Sequence, residues 1–203
     1  MANYSAIKYN FNLPTGTTNE SGNSLELIKT LTASSSANLT LINGASSVVL
    51  DNTYKTYLIK FINIHPQTDN VHFKMDGTTD GSNFNVNQHN TIFAAGHNEG
   101  GDSTLLEYRT GQDVANATGP LIVQYQGGSA DESFSGEMFL YNPSSTTFVK
   151  HYTGRFNEYH RVDYTFDIHV AGYFNNASAL TGLKFQFSSG NIDAGTIKLY
   201  GIR

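Results

Sequence analysis

From residue 25 onward apolar side chains return at every second position, in short runs cut off by Gly, Asn and Asp. Successive side chains of an extended strand point to opposite faces, so this spacing commits a chain to strands with one apolar face each. No apolar stripe of period 3.6 lasts longer than a turn or two, which leaves little to build helices from. Leu25, Leu27 and Leu31 share a parity, as do Leu39 and Leu41, and Val48 to Leu50 continue the pattern after the turn signal Asn43-Gly44. Residues 54–64, YKTYLIKFINI, are apolar on both parities, which predicts a central strand covered on both faces and ended by His65-Pro66. Val71, Phe73 and Met75 alternate with His72 and Lys74, and Asp76-Gly77 and Asp80-Gly81 then punctuate the chain.

Between residues 77 and 120 the pattern is weakest: only Thr91 to Ala94 and Thr104 to Tyr108 read as strands, so excursions decorating one end of the domain are expected there. Strand signals resume at 121–126, 134–141 and 147–152, and are clearest at 162–174, 182–187 and 195–202. About ten strands joined by Gly, Asn and Ser turns predict an all-β fold, an antiparallel sandwich of the jelly-roll kind. No internal repeat emerges, which argues against a propeller or solenoid.

Composition agrees with this reading and bounds the domain count. The chain has 203 residues, of which 14% are charged, with 12 Tyr, 13 Phe and no Trp. That length suits one well-cored domain. Residues 1–24 hold a short aromatic cluster followed by small polar residues, and they predict an extended N-terminal arm ahead of a sandwich at 25–203. Tyr4, Tyr9, Phe11, Leu13 and Pro14 are the arm's candidate partner-binding residues, able to dock on another protein and order there.

Several function classes are disfavoured. A net charge of −5 offers no footprint for a phosphate backbone, so nucleic acid is not expected as a partner. Nor is a membrane: no window approaches the ~18 apolar residues of a span. The segment Met1 to Lys8 lacks the apolar core of a secretory signal, which predicts a product made in the cytoplasm. With no cysteine, thiol nucleophiles and Cys-based zinc sites are excluded.

Candidate chemistry is sparse. Asp163, Thr165, Asp167 and His169 share one face of a strand, and a carboxylate and an imidazole two residues apart are possible metal ligands; alternation alone also yields such a polar, solvent-facing stripe. His151 and His160, with Arg155 and Glu158, fall in a turn-rich stretch and read as surface or intersubunit contacts. Asp76, Asp80 and Asn83 in DGTTDGSN offer oxygen atoms to calcium but miss the EF-hand register, and two Asp-Gly turns account for them. Gly100-Gly101 and Gly127-Gly128 lack the Lys or helix start of a phosphate loop. The loop acids Glu99, Asp102, Asp131 and Glu132 do not by themselves make a glycosidase pair, and no serine sits in an activated context. No cofactor and no catalytic or metal residue is therefore expected. Sugar binding through Tyr faces stays open as an alternative, without the strongest stacking platform, Trp.

The closing segment from Phe187 to Ile202, FSSGNIDAGTIKLYGI, resembles the last hairpin of a group of structural proteins of tailed bacteriophages, many of them marine or cyanobacterial. Tyr54 and Tyr57 leading to Phe61-Ile62-Asn63-Ile64 and Pro66, then Asp80-Gly81-Ser82 with Phe84, and Ser135-Gly136 with Tyr141-Asn142-Pro143, are similar to the same group. The resemblance runs from about residue 50 to the C-terminus and finds no match at 77–118 or in the arm. It implies a non-catalytic virion component, made in host cytoplasm: a capsid decoration (cement) protein, or a tail or fibre protein. Its expected partners are the major capsid protein or other virion proteins, and a homotrimer on a lattice threefold suits it. A chain with its own Met1 and no coiled-coil shaft ahead of the sandwich favours the capsid exterior. The hairpin is expected to pair Leu183, Phe185 and Phe187 with Ile197 and Leu199 across a Ser189-Gly190-Asn191 turn.

Overall fold

The computed structural model describes residues 25–203; the predicted arm, with Tyr4, Tyr9, Phe11, Leu13 and Pro14, lies outside the described residues. Every described element is a strand. They are β1 (Leu25–Thr32), β2 (Leu39–Ile42), β3 (Thr56–Pro66), β4 (Val71–Thr78), β5 (Gln88–Asn98), β6 (Thr104–Tyr108) and β7 (Ala115–Ala117). There follow β8 (Leu121–Gln126), β9 (Phe134–Tyr141), β10 (Lys150–His160), β11 (Tyr164–Phe174), β12 (Gly182–Phe187) and β13 (Ile192–Ile202). Every pairing between them is antiparallel.

The expected all-β sandwich is found. One layer runs β1-β13-β3-β9-β10-β11-β5, with β6 and β7 both added along the free edge of β5; the other runs β8-β4-β12-β2. The layers join through one residue pair, His160 with Gln126, so the sheet nearly closes on itself. Consecutive strands mostly alternate between layers, the jelly-roll habit. Phe61 of β3 marks where the layers meet: its ring lies 5.3 Å from that of Phe185 and 6.0 Å from that of Phe73 on the opposite layer, and 5.4 Å from Phe156 on its own. Edge-on aromatic packing of this kind adds to the burial of each ring.

Several expectations need correction. Leu183, Phe185 and Phe187 do face the core, as do Ile197 and Leu199, but β12 and β13 do not pair with each other. β12 pairs with β2 and β4, β13 with β1 and β3, so the closing segment is a crossover between layers rather than a hairpin. Parity shows which residues face inward and is silent on which layer they face from. Val48 and Leu50 are buried without forming a strand: Ser46 and Ser47 take left-handed φ of 48° and 66°, and the chain plugs the end of the core as a loop.

β3 is central, with its inner face covered along its length, whereas on its outer face Leu58 alone is buried. Tyr57, Ile59, Phe61 and Ile64 point inward, while Ile62 is 39% exposed. A bulge at Asn63, with φ of 49°, flips the alternation between Ile62 and Ile64 and makes the strand look apolar on both parities. The segment 88–98, read only in part, is a full strand paired with β11 over its whole length. Its inward positions are Gln88, Ile92, Ala94 and Gly96, and small and polar residues there blur the apolar signal. The stretch holding Arg155 and Glu158 is not turn-rich but the middle of β10, for the same reason: Gly154 and Glu158 occupy positions where apolar residues are expected.

Candidate interaction surface

The outward face of the larger layer carries the richest chemistry, and the sheet register lines it up in rows. One row crosses the layer as Thr30, Lys198, Lys60, Glu137, Arg155, His169, Phe93 and Tyr108. Cross-strand neighbours on one face sit about 5 Å apart, so opposite charges pair directly. Lys60 and Glu137 approach to 3.4 Å. Arg155 binds Asp167 of the next row with both arms of its fork, Nε donating at 2.8 Å and Nη2 at 2.7 Å, and His169 Nε2 lies 3.4 Å from the same carboxylate. The Arg155 hydrogen bonds hold the Asp167 carboxyl below its ordinary range. An open concavity of about 660 Å3 lies over this ladder, floored by Lys60, Glu137, Arg155 and Asp167.

Aromatic and aliphatic groups flank the ladder on both sides. Toward the β6 edge, Phe93 stacks flat on His169 at 4.7 Å, Tyr108 is 56% exposed and donates its hydroxyl to Asp113, and Leu106 is 77% exposed. His151, Tyr173 and His89 form another cross-strand row, with His89 stacked on Tyr173 at 5.3 Å. At the opposite corner two adjacent rows read Leu27, Tyr200, Leu58, Phe139 and Leu25, Ile202, Thr56, Tyr141. Leu58 is only 6% exposed although it faces away from the core, while Leu27 is 52% and Tyr141 38% exposed. Contiguous outward apolar groups of this sort mark contact sites on soluble proteins.

A second polar cluster lies inside, at the seam where β8 meets β10. Arg109 reaches in after β6, donates from Nη1 to Gln124 at 3.3 Å, rests 4.5 Å over the Phe166 ring, and pairs with the exposed Glu107 at 2.9 Å. Glu158 is fully buried, and neither carboxylate oxygen accepts a hydrogen bond from the described residues. Burial pushes its carboxyl up to about 8, with Arg109 opposing, so it stays protonated at neutral pH. Beside it, burial holds the His160 imidazole down to about 4, with Arg161 and Arg109 adding to the effect. A shallow recess of about 290 Å3 reaches Arg109 and His160 from outside. Lys150 is equally buried and donates to the backbone carbonyls of Asn176, at 2.9 Å, and Ser178.

The remaining sequence candidates have local structural roles. Thr165, Asp167 and His169 share the outward face as expected, whereas Asp163 sits in the β10–β11 turn at φ 57°. Asp80 closes its own turn, accepting from the backbone of Ser82 and Asn83 at 2.9 and 2.7 Å and from the Asn83 side chain at 2.7 Å. Those bonds hold its carboxyl far below the ordinary range. Asp76 is buried instead and lies 3.7 Å from Lys184; its carboxyl is raised by burial, so the two acids do not share an ion site. Glu132 accepts from the Ser129 backbone at 2.6 Å and Asp102 from the Asn98 side chain at 2.6 Å, each within its own turn. Among the described residues no three His, Cys, Asp or Glu side chains cluster as metal ligands.

The sequence reading missed the buried seam and the apolar corner. Arg109 and Gln124 carry no spacing signal; Leu25 and Leu27 share a parity with Leu31, but an irregularity between Leu27 and Lys29 turns Leu25 and Leu27 outward beside Ile202 and Tyr200 while Leu31 packs against the core. No family model matches the chain, and no curated protein matches it in sequence.

Proposed function

We propose that the chain is a non-catalytic structural protein of a tailed-bacteriophage particle, a decoration (cement) protein that binds the capsid exterior as a trimer. What supports contact work is the outward face of the larger layer, where exposed apolar groups at both ends bracket a ladder of paired charges. Protein interfaces combine these ingredients, apolar and aromatic anchors within a polar surround. The phage assignment itself rests on the resemblance of residues 187–202 and the shorter segments before them. The buried ionisable groups fit a structural role, since Glu158 and Lys150 are sealed from the face that would meet a partner.

Light scattering on the purified chain tests the assembly. Three copies of 22.2 kDa give 3 × 22.2 = 66.6 kDa, and a monomer at high concentration overturns the trimer. Co-sedimentation with shells of the major capsid protein encoded in the same genome tests the partner, and absence of binding overturns the cement role. A tail or fibre position is separated from a capsid one by a map of the whole particle. A second reading, a carbohydrate- or receptor-binding module, is favoured by the exposed Tyr108 ring beside Asp113. It predicts glycan-array binding that Tyr108→Ala abolishes.

A further inference from the structure

We propose that the apolar corner of the larger layer takes residues 7–13 of a second copy of this chain, laid across the strands as an exchanged arm. The inference rests on the trimeric reading for its second copy. Its physical basis is a match of patterns. Leu27, Tyr200, Leu58 and Phe139 form an unbroken apolar row over four adjacent strands. At the usual spacing between strands that row is ~15 Å long. The next row, Leu25, Ile202, Thr56 and Tyr141, widens it with a single polar member. Charges close one side of the patch, at Lys198 and Lys60 in the neighbouring row, and the end of the sheet closes the other.

Residues 7–13 read IKYNFNL: Ile7, Tyr9, Phe11 and Leu13 share one parity, and Lys8, Asn10 and Asn12 the other. In extended form, same-face residues are ~6.6 Å apart, so these four apolar groups span ~20 Å. Such a segment lays an apolar edge on an apolar row and leaves Lys8 and the asparagines in water. Residues 14–24, PTGTTNESGNS, contain no Leu, Ile, Val, Met or aromatic side chain and can bridge up to ~36 Å when extended. β1 begins at Leu25, opposite Ile202 at the end of the sheet, so the arm joins the sheet at the edge of the patch, and a bridge of up to ~36 Å is long enough to reach the same patch of an adjoining subunit.

The chain has no cysteine, which allows a clean cross-linking test. Phe11→Cys and Leu27→Cys are made in separate proteins, mixed, and oxidised; Leu27 is 52% exposed, so the fold tolerates its change. A disulfide-linked dimer is expected on a non-reducing gel, at least ten-fold above a control in which Leu27→Cys is replaced by Leu106→Cys on the far β6 edge. In the double variant, Phe11→Cys with Leu27→Cys, covalent species up to a trimer are expected. A bond found only within single chains of the double variant means that the arm folds back on its own sheet and overturns the exchange. No bond above the control overturns the docking site. Light scattering on the same samples separates the two readings: a trimer without the bond removes this inference alone, whereas a monomer removes the trimer itself.

Discussion

Glu158 and His160 lie two residues apart on β10, and burial moves them in opposite senses. Glu158 titrates at about 8 in the fold against an ordinary 4.5, so its contribution to stability is fully present below pH 4.5 and is lost as pH rises through 8. His160 titrates at about 4 against 6.5, so its contribution is present above pH 6.5 and is lost as pH falls through 4. Between pH 4.5 and 6.5 the two trends cancel, because folding takes up a proton at one residue and releases one at the other. The joint contribution of these two residues is therefore expected to be flat there and to fall from pH 6.5 to 8. Urea unfolding across this range checks it. Glu158→Gln removes this residue's share of the alkaline fall and at pH 8 stabilises the protein by about 2–4 kcal/mol, since that position then carries no carboxyl to be kept protonated. The Arg155 and Asp167 pair, by contrast, is exposed, and Asp167→Asn is expected to leave the urea midpoint nearly unchanged.

At the scale of elements, β9 and β10 meet where Gly136 faces Phe156. A β-carbon at Gly136 would run into the Arg155 carbonyl and the Phe156 ring, and the strand backbone cannot step aside without breaking its ladder. Gly136→Ala is expected to lower the urea midpoint by the equivalent of about 1–3 kcal/mol, with the slope of the transition unchanged. The same residue explains part of what the sequence conceals. Strands such as β12, where Leu183, Phe185 and Phe187 alternate cleanly, are visible from parity alone. In β5 and β10 the inward positions include Gly96 and Gly154, where the Phe166 and Phe156 rings already fill the space, and the buried carboxyl of Glu158, so the apolar pattern fades. Pairing was beyond reach as well: parity placed Phe185 and Leu199 in the core without showing that opposite layers supply them. The charged ladder was half legible, through Asp167 and His169, but Lys60, Glu137 and Arg155 join it only through register between strands distant in sequence.

For the molecule as a whole, β1 and β13 are neighbours although they come from opposite ends of the described chain, and Leu25 sits across from Ile202. Such distant pairings must close large loops before they repay the lost entropy, so folding is expected in the millisecond-to-second range rather than in microseconds. The adjacency also makes the order of the chain negotiable. A circular permutant that links Arg203 to Leu25 through a few glycines and opens at the exposed Gly100-Gly101 turn should fold to the same near-closed shell. A passenger domain attached at either native end of the sheet would then project from the same vertex, pointing one way from every subunit.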